Sequence, residues 1–331
     1  KLHASDSAND GSLTLLNLVG IGSVSSSVDV QGSIYATGEV TLSAKAERIS
    51  DATGDFSIFS PSGAIPLAIP SLSATATVGS GSTIVAGAFG LTAETNLAIS
   101  VDAGQSVLGS FTQNILADTT THATVASGAT IEVGTDILTG ETVSGLVRAS
   151  DTSVLSIDLA PNEGGLIGSV LSDFGVSFAV LTVDRDTQAI VNGASFGTAT
   201  SGALAVEATN SGSFTNKVNA SVIGVSYVNG SDIVLAKVDG ATVRGASLSV
   251  MAMNTSAYES AAKVSVNTIN GETRALLKSA DVVLGGKLDV SAQDKTTLTA
   301  GSKDFVGTLS DFSSVDLSLA AAVNQMDKTV E

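Results

Sequence analysis

Residues 246–262 read ASLSVMAMNTSAYESAA, and residues 286–302 read GKLDVSAQDKTTLTAGS. Each places two aliphatic side chains two residues apart, an alanine two further on, then a polar shoulder and small residues. Leu248, Val250 and Ala252 of the first stretch correspond to Leu288, Val290 and Ala292 of the second. A period of two puts all three on one side of an extended chain, so each stretch predicts a strand with one buried face. The triad recurs as Val40, Leu42, Ala44, as Phe89, Leu91, Ala93 and as Leu204, Val206, Ala208. A copy at Gly145, Val147, Ala149 has lost its first large side chain.

A second signature lies upstream of most triads: ATVGSGSTI from Ala76, ATVASGATI from Ala123, AIVNGASF from Ala189, AKVDGATV from Ala236 and ALLKSADVV from Ala275. Asn192-Gly193 and Asp239-Gly240 supply the positive φ that a sharp corner requires. The order is therefore strand, corner, short strand, corner, strand.

Triads beginning at Leu204, Leu248 and Leu288 are 44 and then 40 residues apart, a spacing that marks a stacked repeat. Between them run further alternating segments, among them VSFAVLTVDRDTQA, NASVIGVSYVNGSDIVLA and AAKVSVNTINGETRA. Asp184, Asn229, Asn267 and Asn324 within such segments are expected to lead into polar loops. That divides each repeat into two coils of about twenty residues, and the chain into some fourteen to sixteen rungs forming a rod of about 70 Å. A β-sandwich also uses alternating strands and Gly/Asn turns, but its strands meet different neighbours. Equivalent residues at equivalent places are what results when each coil stacks on a copy of itself. The expected fold is all-β, a right-handed parallel β-helix (β-solenoid) forming one segment over 1–331. Loop insertions are expected near 55–72, where three of four prolines lie, and near 151–178.

Composition agrees with a thin, layered core. The 331 residues are 43% hydrophobic but only 4% aromatic, with no Trp and 34 Gly, so Ala, Val, Leu and Ile must fill the interior. A net charge of −17 disfavours nucleic acid, whose phosphates need clustered Lys and Arg. There is no cysteine for a disulfide or a thiolate metal site. No apolar run reaches membrane-spanning length, and the polar opening KLHASDSANDGS is no signal peptide. The chain reads as an internal slice of something longer.

Candidate chemistry is sparse. His3 and His122 have no neighbouring His, and a zinc site needs three or four convergent ligands. For His122, within TTTHATV, an outward strand position is expected. Asp184 and Asp186 flank Arg185, and both could face one side as a carboxylate pair or a calcium site. The favoured reading is a solvated loop whose arginine relieves repulsion. Asp151 and Asp158 match neither spacing. No G-x-S-x-G is present, and GSGSTIVAGAFG lacks the Lys-Ser/Thr of a phosphate loop. Tyr35, Tyr227 and Tyr258 are too dispersed for a sugar-stacking platform.

The stretch TRALLKSADVVLGGKLDVSAQDKTTLTA (273–300), with AAAVNQMDKTVE (320–331), resembles the repeats of very large bacterial surface proteins of the filamentous haemagglutinin and leukotoxin type, autotransporter passengers included. The likeness is one of repeat pattern over about residues 20 to 331. It implies an exported, extracellular stalk or adhesive fibre at a bacterial cell surface. Its expected partners are more of the same polypeptide or identical copies end to end, together with host, cell or polysaccharide surfaces. It implies no enzyme, with no catalytic, cofactor or metal residue. A self-assembling filament or sheath subunit, and a carbohydrate-active β-helix enzyme using Asp184 and Asp186, are the alternatives.

Overall fold

A computed structural model describes residues 2–10, 19–55, 67–104, 111–160, 176–219, 223–302 and 321–331. These form strands and no helix, arranged in three stacked sheets whose strand pairs are all parallel. The first sheet holds β1 (Leu2–Asp10), β4 (Glu39–Asp55), β7 (Ala88–Gly104), β10 (Gly145–Ala160), β13 (Ala203–Val218), β16 (Ser247–Ala262) and the pieces β19 (Leu288–Asp294) and β20 (Thr297–Ser302). The second holds β2 (Val19–Val30), β5 (Leu67–Val78), β8 (Phe111–Val125), β11 (Val176–Asn192), β14 (Ile223–Asp239), β17 (Val264–Lys278) and β21 (Ala321–Val330). The third is narrow: β3 (Ser33–Tyr35), β6 (Thr83–Ala86), β9 (Thr130–Val133), β12 (Ser195–Phe196), β15 (Thr242–Gly245) and β18 (Asp281–Leu284).

Chain order visits the sheets in strict rotation. Coil one is β1, β2, β3, and coil seven is β19 with β20, then β21. Each coil runs out along one long strand, back along a second that faces it, and around a short third. This is a solenoid-like stack, with the triads as its registers. Leu248 pairs with Leu288, Val250 with Val290 and Ala252 with Ala292. Leu204 pairs with Leu248 and with Gly145, and Gly145 in turn with Phe89. The second signature is a register of its own, since Ala76, Ala123, Ala189, Ala236 and Ala275 form one column of β5, β8, β11, β14 and β17. Its corners turn at Gly193 (φ 55°), Gly240 (φ 59°) and, in the next coil, Ser279 (φ 50°).

Two expectations are corrected. A repeat is one coil, not two, so the described residues make seven coils with strands of up to 17 residues. At about 3.3 Å per residue and about 4.8 Å per rung, the stack is about 55 Å broad and only about 30 Å tall. Asp184, Asn229, Asn267 and Asn324 do not lead into loops, because all four lie within strands β11, β14, β17 and β21. Leu288 and Val290 continue the inward columns, yet they are 45% and 41% exposed, because among the described residues no rung lies over coil seven.

Of the expected insertions, Leu67–Val78 belongs to β5 and 151–160 and 176–178 to β10 and β11, while 56–66 and 161–175 lie outside the described residues. The proline-rich stretch is thus partly strand. The pairing of β5 with β8 passes over Ile69 and Pro70, as a residue without an N–H requires. A described excursion that the sequence reading missed spans residues 134–144, between β9 and β10. It folds over the outside of the first sheet. Leu138 packs with Ala88, Leu146 and Ala205 of coils three, four and five. Thr139 donates to Glu39 of coil two through its Oγ1 at 2.6 Å and its N–H at 3.1 Å.

Candidate functional site

The interior changes character along the stack. One inward column of the first sheet runs Ala46, Thr95, Asp151, Asn210, Asn254, Asp294. A column of the facing sheet runs Leu72, Thr119, Arg185, Asp232, Gly271, Lys328. Coil two holds Ala46 and Leu72 there and coil three Thr95 and Thr119. Charge enters both columns at coil four, continues at Asp232 in coil five, and returns to both columns at coil seven with Asp294 and Lys328.

The charges form a chain of alternating sign. Arg185 donates to Asp151 at 3.2 Å and lies 2.8 Å from Asp232, and the side chains of all three are fully buried. Lys328 reaches Asp232 at 3.0 Å past Gly271, whose missing side chain leaves the way open, and sits 3.6 Å from Asp294. Tyr258 donates to the Asp232 carboxylate, with its hydroxyl 2.9 and 3.0 Å from the two oxygens, and Asn254 donates to Asp232 at 3.0 Å and to Asp294 at 3.3 Å. Asp151 also accepts from Thr95 at 2.6 Å and from Ser153 at 2.9 Å, and Ser256 pairs with Arg185.

Aromatic rings wall the chain. Phe214 stacks on Tyr258 with centroids 4.6 Å apart, and the Arg185 guanidinium lies 4.9 Å from the Phe214 centroid. Room for Tyr258 comes from Gly230, where a Cβ would stand 2.7 Å from the tyrosine ring.

Electrostatics follow from this packing. Burial works against the Arg185 charge, but the carboxylates of Asp232 and Asp151 outweigh it and raise its pKa. Burial would likewise raise Asp232, yet Arg185 and Lys328 hold it below the usual carboxylate range. Burial and the neighbouring Asp232 push Tyr258 well up, which keeps its hydroxyl a proton donor. Asp294 is lowered against its burial by Thr296 and Lys328. An ion pair so enclosed holds its geometry, and removing one member strands the other in a dry interior.

The candidates from sequence are placed as follows. Asp184 and Asp186 do face one side, the outer surface of the second sheet, but they are mid-strand and Arg185 points the opposite way. The reading of a solvated loop with a charge-relieving arginine is therefore corrected. Burial and the adjacent Asp118 raise Asp184. His122, on the same outer surface as expected, bonds Asp186 at 2.9 Å, and with Gln188 it lowers Asp186 against the effect of burial. Asp151, which matched no spacing, is an anchor of the buried chain, and Asp158 lies within 3.5 Å of the Asn219 amide. The side chain of His3 lies outside the described residues. Tyr35 is 72% exposed, whereas Tyr258 is buried. Among the described residues no group of three or more His, Asp or Glu side chains is placed to hold a metal ion.

Sequence reasoning missed the buried chain, although one signal was available. Asp151, Arg185 and Asp232 each occupy the inward phase of an alternating strand, where the pattern calls for an apolar residue.

Parallel strands in stacked sheets with a column-matched interior define the class: an all-β, solenoid-like repeat protein. No family model, no curated protein and no solved structure matches the chain.

Proposed function

We propose that this chain is a non-catalytic structural segment of a large exported surface protein, a stalk or adhesive fibre of the filamentous haemagglutinin and leukotoxin type that acts at a bacterial cell surface. Its coil is right-handed, the hand taken by nearly all crossovers between parallel strands of one sheet. Its function is mechanical, with ladders of backbone hydrogen bonds giving stiffness and the connections between long strands presenting contacts.

The observation that carries this reading is the upper face of coil seven. Inward positions that are buried in coil six are open there, with Leu288, Val290, Met326 and Val330 between 41% and 50% exposed along strands that have no neighbour above among the described residues. Such an edge is a template for another strand. Its partner is a further coil of the same pattern, from the same polypeptide or from an identical copy. The charged residues inside the stack are engaged with one another, which suits support better than turnover.

Sedimentation velocity of the 331-residue chain tests the proposal. Concentration-dependent end-to-end association is expected. A clean monomer at high concentration, with Val323 to Val330 protected in hydrogen exchange, would remove the reading. The enzyme alternative rests on Asp184 and Asp186, which share the outer surface of the second sheet, where His122 bonds Asp186. It predicts polysaccharide cleavage that is lost in Asp186→Asn.

A further inference from the structure

Near the end of the core where the first long strand passes to the second, three oxygens of coils five and six are fully buried. Asn216, Ser260 and Asn267 are each 0% exposed, and Asn216 Oδ1, Ser260 Oγ and Asn267 Oδ1 have no hydrogen-bond partner. Leaving one such group unpaired costs about 1–3 kcal/mol, so three together call for a partner.

The three converge. Asn216 on β13 and Ser260 on β16 are register partners on adjacent rungs. The Asn216 amide crosses the interior to donate to the Tyr227 carbonyl at 3.0 Å, beside Val228, and Val228 is the register partner of Asn267. The Asn267 amide crosses the other way and donates to the Thr299 carbonyl at 2.8 Å. Thr299 is the register partner of Glu259, which precedes Ser260. Each amide therefore reaches the level of the other's strand, with Ser260 between them.

Neither amide can be turned around. Asn216 Nδ2 donates both to Tyr227 and to the Ala179 carbonyl at 2.9 Å, and Asn267 Nδ2 both to Thr299 and to Asn324 Oδ1 at 2.8 Å. Exchanging nitrogen and oxygen would set oxygen against the backbone carbonyl oxygens of Ala179, Tyr227 and Thr299. The two Oδ1 atoms must therefore serve as acceptors toward a common neighbour, while the serine hydroxyl is free to donate.

We propose that Asn216, Ser260 and Asn267 bind one internal water molecule between coils five and six. The water donates one proton to each amide oxygen and accepts one from Ser260. That is the three-bond pattern typical of a buried structural water, and it matches the donor and acceptor count of the three groups. It links the facing sheets at a level where apolar columns give no directional contact.

A crystal structure of the wild-type chain at a resolution that defines solvent tests this. A single water within about 2.7–3.2 Å of all three oxygens is expected. Direct bonding of Ser260 to either amide oxygen with no solvent between them would overturn the proposal, as would a cation ringed by further oxygens. Oxygen-17 magnetic relaxation dispersion in solution should detect a long-lived water whose contribution drops by one molecule in Ser260→Val, where the added methyls occupy its place. An unchanged amplitude in a folded variant also counts against it. If that variant does not fold, the wild-type crystal decides.

Discussion

Coils two and four stack in the same two facing sheets and in register, yet their interiors differ. At equivalent positions coil two holds Ala46 and Leu72, whereas coil four holds Asp151 and Arg185. The backbone does not respond to the exchange, because the parallel ladders are satisfied in both. The columns that fill the stack are therefore a separate choice from the fold itself. An ionic column is tolerated only when it is complete: Asp232 has Arg185 beneath it and Lys328 above.

The largest effect should come from breaking that completeness. Arg185→Leu restores the side chain of coil two but leaves Asp151 and Asp232 without their cation, and we expect a loss of about 3–5 kcal/mol in urea unfolding. The triple change Asp151→Ala, Arg185→Leu, Asp232→Asn, which removes the three partnered charges together and leaves Lys328 to Asp294, should recover to within about 2 kcal/mol of the parent. If the triple variant is as unstable as the single one, the two interiors are not interchangeable.

Position within the stack gives a second contrast. Val250 is wholly buried and Val290, its partner one rung above, is 41% exposed. Val250→Asp should cost about 3–5 kcal/mol and Val290→Asp about 1 kcal/mol or less, measured as shifts in the denaturation midpoint. Equal losses would mean that coil seven is covered in solution.

Lys328→Met should cost an intermediate amount, about 1–3 kcal/mol, because Asp232 keeps Arg185. The same lysine governs acid stability. Asp232 and Asp294 have pKa values lowered by folding, so their contribution is present above the ordinary carboxylate value of about 4 and is lost as pH falls below it. The acid limb of stability against pH should be shallower in Lys328→Met than in wild type. An identical limb would separate Lys328 from both carboxylates.

The smallest effect belongs to the outer surface. His122 and Asp186 are each about one-third exposed, and His122→Ala should change stability by less than about 1 kcal/mol.

The column pattern was legible because stacking repeats a residue at each rung, and period two is readable without knowing the partner. Coil size was not. Asn229-Gly230 and Asn270-Gly271 have the chemistry of tight turns, yet they sit inside strands. Gly230 gives space to Tyr258, a residue 28 positions away on the facing sheet, and no local rule reports that demand. Asn192-Gly193 and Asp239-Gly240 look the same in sequence and do turn corners. Asp184 and Arg185 show a similar limit. Alternation assigns them to opposite faces, but the carboxylates that make Arg185 an interior residue come from Asp151 and Asp232, in two other strands.

The 134–144 excursion has a further consequence. In a simple solenoid each coil touches only its neighbours, so unfolding can proceed rung by rung from either end. Leu138 and Thr139 fasten coils two to five from outside, and Arg148 joins Glu141 of the excursion to Glu207, tying it to coils four and five. Those four coils are thereby expected to open together, as one cooperative block rather than rung by rung.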